Sequence, residues 1–425
     1  MKLTTISLLI GLSVIFGCNR EIEQENNFSS ATDTLILKTE KIKGFGMFPA
    51  GAGQIYFKDT TELYEYPVIF PKNISEIKLA LQHVDIKPFQ YQNLKESHSD
   101  YMTTFLDKNF PEKLDTSNIA SKKENTICIM SGKLDNENVF IVDENNNKDF
   151  RDDSLRLYNK MDWHTKDHLI KCKYEVFGGG IIHIDSTWVN IGELRGNLLF
   201  FVSHHLVSEF SIDKEKYQLG IVDEQSNFCF DDPILALISK NGVMKDSLLK
   251  SELLSKGEYL KLGNNYYKFE DISNDGKSVT LVKEKDVSNK IGTQVGFIAP
   301  DFSFLSTEGD SIYFTDYKGK YLLLSNITAC WSEIMSYEYF KELSEKYASK
   351  LDIIGIDISP NLLKQNIKDL NLTGIFVIAE SNPLIQKNYR EDYCSRTCFL
   401  IDPQGRIIDK FEISDWKVSL AKYLE

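Results

Sequence analysis

Tyr321-Leu-Leu-Leu324, followed closely by Ser332 to Ala348, is the stretch on which the fold turns. An unbroken apolar run of this kind suits a strand buried on both faces at the centre of a sheet. Beyond it, Ile334, Tyr337, Phe340, Leu343 and Tyr347 recur at helical spacing, which predicts a helix over 332–348. Working outward, Phe302-Ser-Phe-Leu and Ser311-Ile-Tyr-Phe flank Glu308-Gly-Asp310 as a hairpin. Leu351-Asp-Ile-Ile-Gly-Ile predicts the next strand, then a helix over Asn361 to Leu370 and a strand at Ile375-Phe-Val-Ile. Thr397 to Asp402, a turn at Pro403-Gln-Gly405, Arg406-Ile-Ile and an amphipathic helix from Asp415 complete the pattern. Strands alternating with helices imply βαβ units and a partly parallel sheet.

Upstream, residues 33–290 read differently. Short alternating or aromatic runs (Thr34-Leu-Ile-Leu-Lys, Gln54-Ile-Tyr-Phe, Thr126-Ile-Cys-Ile-Met, Val139-Phe-Ile-Val) are separated by Asn, Asp and Gly clusters. That is the signature of a β-rich region. Within it, Asn73 to Val84 carries Ile74, Ile77, Leu81 and Val84 at helical spacing, and a helix is expected there. Tyr259 to Glu284 reads as a closing β-meander turning at Asn274-Asp-Gly276, with Lys285 to Gly292 as linker. Phe140-Ile-Val-Asp143 and Gly220-Ile-Val-Asp223 each run into an acidic, Asn-containing loop, so two tandem β units, 33–160 and 161–290, are expected.

Chemistry is sparse in this region. Asp143, Asn145, Asn147 and Asp149 fall on alternate positions, as in a calcium loop, but Lys148 stands where that loop needs Gly and Ser154 where it needs Glu. Asn and Asp serve hairpin turns equally well for conformational reasons. His164 and His168 are spaced for one face of a helix, and His204-His205 lies in an apolar, strand-like run. Both pairs are expected to be structural. No motif calls for a cofactor.

At the amino terminus, Lys2 precedes the uncharged, largely apolar Leu3 to Phe16, which ends at Gly17-Cys18. This predicts a secretion signal over residues 1–18. The Gly-Cys junction resembles the lipobox of bacterial lipoproteins, which implies lipidation of Cys18 and anchoring in the cell envelope. A plain secretion signal ending in a chance cysteine is the alternative. Residues 19–32 are too polar to order themselves and read as a tether. The net charge of −13, from 62 acidic and 49 basic residues, leaves no basic stripe for nucleic acid.

Gly296-Phe-Ile-Ala-Pro-Asp-Phe302, Asp316-Tyr-Lys-Gly-Lys-Tyr-Leu-Leu-Leu324 and Phe399-Leu-Ile-Asp-Pro-Gln-Gly405 together resemble the TlpA-type thioredoxin-like family and its AhpC/TSA (redoxin) relatives. The resemblance covers residues 292–425. It implies an α/β thioredoxin-like C-terminal domain preceded by a β-rich N-terminal region. The family's reactive C-x-x-C sits where the first central strand meets its helix. Counted back from Phe340-Lys-Glu-Leu343, Cys330 takes the first cysteine's place and Glu333 the second's, so the motif is degenerate.

Where thioredoxins carry a cis-proline, three residues before the position of Phe399, this chain has Arg396. Peroxiredoxins are similar there, an arginine holding peroxide and thiolate, and Cys330-Trp-Ser-Glu-Ile echoes their Cys-Pro-Thr-Glu-Ile. Thr328 lies two residues before Cys330, one residue closer than the peroxiredoxin threonine. Cys394 and Cys398 bracket Arg396; either is a candidate resolving thiol, or Cys398 packs within its strand. Two functions follow: a thiol-disulfide oxidoreductase or thiol peroxidase with one nucleophile, or an inactive binding module. The implied partners are a membrane, reached through the lipid, and a protein disulfide, peroxide or thiol donor.

Overall fold

The computed structural model describes residues 27–29, 31–49, 53–59, 68–83, 126–162, 165–178, 180–223, 228, 230, 233–327, 334–390 and 396–425. Upstream of Gly292 the described residues form sheets, with a 3-10 turn at Lys250–Glu252. A seven-stranded sheet built around His204–Ile212, Glu215–Asp223 and Pro233–Lys240 faces the four-stranded meander sheet. Leu206, Phe210, Leu219 and Ile221 from one side pack on Leu35, Tyr267, Phe269 and Leu281 from the other. A second pair of sheets encloses Ile127, Ile129, Phe140, Cys172, Tyr174, Val189 and Phe200. In each strand alternate side chains point inward, as the two-residue period requires.

Strand pairing crosses residue 160. Thr34–Lys38 pairs with Ser278–Glu284, Glu40–Lys43 with His204–Ile212, and Gly53–Gln54 with Asn197–Val202. The meander turns where expected, with Gly276 at φ +68° and its N–H donated to the Ser273 carbonyl.

The helix expected over Asn73 to Val84 is instead the strand Ser75–His83, paired with Thr126–Leu134. Leu79 and Leu81 alternate as readily as Ile74, Ile77 and Leu81 follow the helical period. The long-range ladder decides between the two patterns, a common override of local propensity. Glu76, at φ +51°, carries the irregularity that shifts register between Ser75 and Lys78.

The C-terminal domain has eleven named elements: β1 (Ser303–Leu305), β2 (Ser311–Tyr313), β3 (Leu322–Asn326), α1 (Ile334–Tyr347), β4 (Asp352–Asp357), α2 (Pro360–Leu370), β5 (Ile375–Ile378), α3 (Pro383–Tyr389), β6 (Thr397–Ile401), β7 (Ile407–Glu412) and α4 (Trp416–Leu424). β1 and β2 form a separate hairpin. The main sheet runs β5-β4-β3-β6-β7, parallel from β5 to β3 and antiparallel from β3 to β7. Leu323, on one face of β3, packs with Tyr337, Phe340 and Leu343 of α1 and with Trp416 and Leu420 of α4. Leu322 and Leu324, on the other face, pack with Ile385 and Tyr389 of α3 and with Phe302 and Phe304. A central strand buried on both faces therefore leads directly toward a helix, the thioredoxin-like arrangement. The short helix α3 was not foreseen; Asn382-Pro383, with Pro at the first helical position, is its local signal.

Between the two parts, Tyr259, Val287 and Phe297 share an apolar cluster. Gln294 clamps the backbone of Tyr259, accepting from its N–H at 2.8 Å and donating to its carbonyl at 2.5 Å.

Candidate functional site

β3 ends in two buried polar residues, Ser325 and Asn326, before Ile327. Asn326 donates through Nδ2 to the carbonyls of Tyr389 at 2.9 Å and Thr397 at 2.8 Å. One side chain thus ties the end of the central strand to the end of α3 and the start of β6. Its Oδ1 is buried, with no hydrogen-bond partner among the described residues. Sequence reasoning passed over Asn326; a polar residue directly after an apolar core run was the available signal.

Cys330, Thr328 and Glu333 lie outside the described residues, as do Cys394 and the lipidation candidate Cys18. The described residues resume at Ile334, the start of α1.

Arg396, immediately before β6, is only partly exposed. Its Nη1 donates to Ser336 Oγ at 3.4 Å, and Ser336 is a buried residue in the first turn of α1. Its Nε lies 3.8 Å from Glu412 Oε2 at the end of β7, and its carbonyl accepts from Ile413 N–H at 3.2 Å. The structure therefore brings the guanidinium to the start of the helix that follows Cys330 in the chain. Helix N-termini and neighbouring cations both favour a thiolate. Ser336 and Glu412 carried no sequence signal, since their roles depend on where β6 and β7 end.

Cys398 is 0% exposed, with its sulfur 3.2 Å from Ser325 Oγ and its body in the apolar layer between the sheet, α1 and α4. Burial pushes its thiol up to about 12. Of the two readings open for Cys398, this is the packed one: thiolate is the reactive form, and this environment withholds it. Across the same helix, Tyr337 OH donates to Asp357, which also accepts from Ile358 N–H and Ser359 N–H. Burial and the carboxylate together raise the Tyr337 phenol, which stays protonated.

In the acidic loop, Asp143 is buried and accepts from Asn147 N–H and Lys148 N–H. Asn145 and Asn147 each accept from the backbone two residues on, and Asp149 pairs with Arg151 at 2.6 Å. These are turn-forming contacts. Among the described residues no group of three or more His, Cys, Asp or Glu side chains is placed to hold a metal ion. His204 and His205 are buried, bonded to Thr187 Oγ1 at 2.6 Å and the Gly44 carbonyl at 2.5 Å, and burial lowers both. His168 is exposed, and His164 lies outside the described residues.

No family model matches the chain. Among characterised proteins, peroxiredoxin Bcp of Bacillus subtilis (strain 168) is 27% identical over 150 residues, covering 31% of this chain and 93% of that protein. The thiol-disulfide oxidoreductase ResA of Bacillus thuringiensis subsp. konkukian (strain 97-27) is 31% identical over 137 residues, covering 31% of this chain and 78% of that protein. Among solved structures, a putative protein disulfide isomerase from Bacteroides thetaiotaomicron overlaps 31% of this chain and 87% of its own, at 22% identity and a TM-score of 0.27. Sequence likeness at this level, over most of the length of ResA, agrees with the sheet order derived above. Through its C-terminal third, the chain belongs to the thioredoxin-like family of the thiol-disulfide oxidoreductase ResA.

Proposed function

We propose that the C-terminal domain is a thiol-redox module working from a single nucleophile, Cys330, with Arg396 stabilising its thiolate. The observation that carries this reading is the hold on Arg396, which Ser336 and Glu412 keep beside the first turn of α1. Its relatives' names, a peroxiredoxin and a thiol-disulfide oxidoreductase, describe two substrates for the same nucleophile. With a hydroperoxide, the thiolate takes the terminal oxygen, the O–O bond breaks, and the leaving alkoxide picks up a proton. The resulting sulfenic acid condenses with a second thiol, releasing water and forming a disulfide, which a further thiol reduces. With a disulfide, the thiolate displaces one sulfur as thiolate and forms a mixed disulfide. Either cycle closes through Cys394 or an external thiol. Glu333 stands where the family has its second cysteine, so the usual internal resolution is absent. Lipidation at Cys18, with residues 19–32 as tether, would hold the module in the bacterial cell envelope.

The test is turnover of hydrogen peroxide and of a model disulfide with a thiol donor, comparing the soluble mature chain with Cys330→Ser. The proposal expects activity that the substitution abolishes. Equal, near-background rates would instead support a binding module that has lost catalysis, the reading favoured by the missing C-x-x-C.

A further inference from the structure

Glu412 stands between two cations from different parts of the molecule. Its Oε2 lies 3.8 Å from Arg396 Nε, and its Oε1 lies 3.8 Å from Lys250 Nζ in the β-rich region. Lys250 opens a single 3-10 turn, Lys250–Glu252. That turn is firmly rooted: Glu252 accepts from Leu249 N–H at 2.9 Å and pairs with Lys245 at 2.7 Å. Leu254, just beyond, is buried and pairs with Leu235 of the seven-stranded sheet. A second contact crosses in the same direction, between Glu258 of the β-rich region and Lys410, which is only 5% exposed, at 3.9 Å. Lys410 and Glu412 are two residues apart on β7 and so share one face of the strand, while Phe411 points into the domain core. The β-rich region therefore covers the outer face of β7 up to the residue that contacts Arg396.

We propose that Lys250 and Glu412 are positioning residues for Arg396, so that the β-rich region sets the orientation of the guanidinium beside α1. This deepens the redox reading and rests on it for its consequence at Cys330. With Lys250 present, the Glu412 charge is shared between two cations and Arg396 keeps its positive potential at the helix start. Without Lys250, Glu412 shifts toward Arg396, drawing the guanidinium toward β7 and weakening its pull on a thiolate.

The experiment is alkylation of Cys330 by iodoacetamide as a function of pH, with the full mature chain. Lys250→Met is expected to slow the reaction at neutral pH roughly two- to fivefold, the scale of one partly exposed ion pair, and to move the midpoint of the profile upward. Lys250→Arg is expected to restore both. In a Glu412→Gln background, Lys250→Met is expected to have no further effect, because the coupling runs through the carboxylate. The Nε–H signal of Arg396, followed by NMR, supplies a readout independent of Cys330; its exchange with solvent is expected to slow in Lys250→Met, because Nε is the atom that faces Glu412. A changed Cys330 profile that persists in the Glu412→Gln background overturns the proposal, as does an unchanged Arg396 signal. If wild-type Cys330 reacts no faster than a free thiol while the Arg396 signal still responds to Lys250→Met, the redox reading fails and the positioning stands.

Discussion

The sulfur of Cys398 lies 3.2 Å from the hydroxyl oxygen of Ser325, with both residues sealed at the junction of β3 and β6. This thiol, on the strand next to the start of α1, is closed off by core packing.

Cys398 should therefore be chemically silent in the native protein. Its thiol is raised by burial from an ordinary value near 9 to about 12. Iodoacetamide at pH 8 is expected to leave Cys398 unmodified until denaturant is added, as read by peptide mass spectrometry. The linkage has a definite sign. A raised folded-state value contributes stability below pH 9 that is lost as pH rises through about 12. Melting curves of Cys398→Ala should fall less steeply than wild type across that alkaline window.

Asn326 should be a keystone for stability. Asn326→Ala removes both donors to the Tyr389 and Thr397 carbonyls, at a cost of roughly 2–4 kcal/mol. Asn326→Asp keeps the shape but presents acceptors to acceptors, and should be worse still. Denaturant unfolding followed by tryptophan fluorescence, with Trp416 buried in this domain, checks both.

Tyr337→Phe should destabilise the domain by roughly 1.5–3 kcal/mol, the scale of a hydrogen bond to a charged group. The lost hydroxyl is a donor to Asp357, a fully buried carboxylate. Adding Asp357→Asn is expected to recover part of the loss, because the buried charge goes with it. A double-mutant cycle in urea measures the coupling.

In the acidic loop, burial raises Asp153 to about 6, with Asp143, Asp152 and Glu144 adding repulsion. Glu144 N–H, at 3.1 Å, partly offsets this. A folded-state value above the ordinary 3.8 means a contribution to stability that is complete below pH 3.8 and lost as pH rises through about 6. Asp153→Asn should therefore raise the melting temperature at pH 7. The gain is expected to be modest, below about 1 kcal/mol, since solvent reaches this side chain. At pH 4 the difference should vanish.

Some of this was legible in the sequence itself. The apolar run at Tyr321 to Leu324 has one satisfactory home, a strand covered on both faces, and the periodic Ile334, Tyr337, Phe340, Leu343 and Tyr347 can bury their stripe only as a helix. Asn73 to Val84 was misleading because its apolar residues satisfy two periods at once. The strand partner that chose between them, Thr126–Leu134, is remote in sequence.

The residues alone thus determined the class of the C-terminal domain and the β character of what precedes it. These follow from local periodicity and from side-chain chemistry at single positions. Tertiary structure decided which groups meet: Asn326 with Tyr389 and Thr397, Arg396 with Ser336 and Glu412, and Glu412 in turn with Lys250. Ion pairs and buried hydrogen bonds act over a few ångströms between strand ends far apart in the chain, and no local pattern encodes that distance.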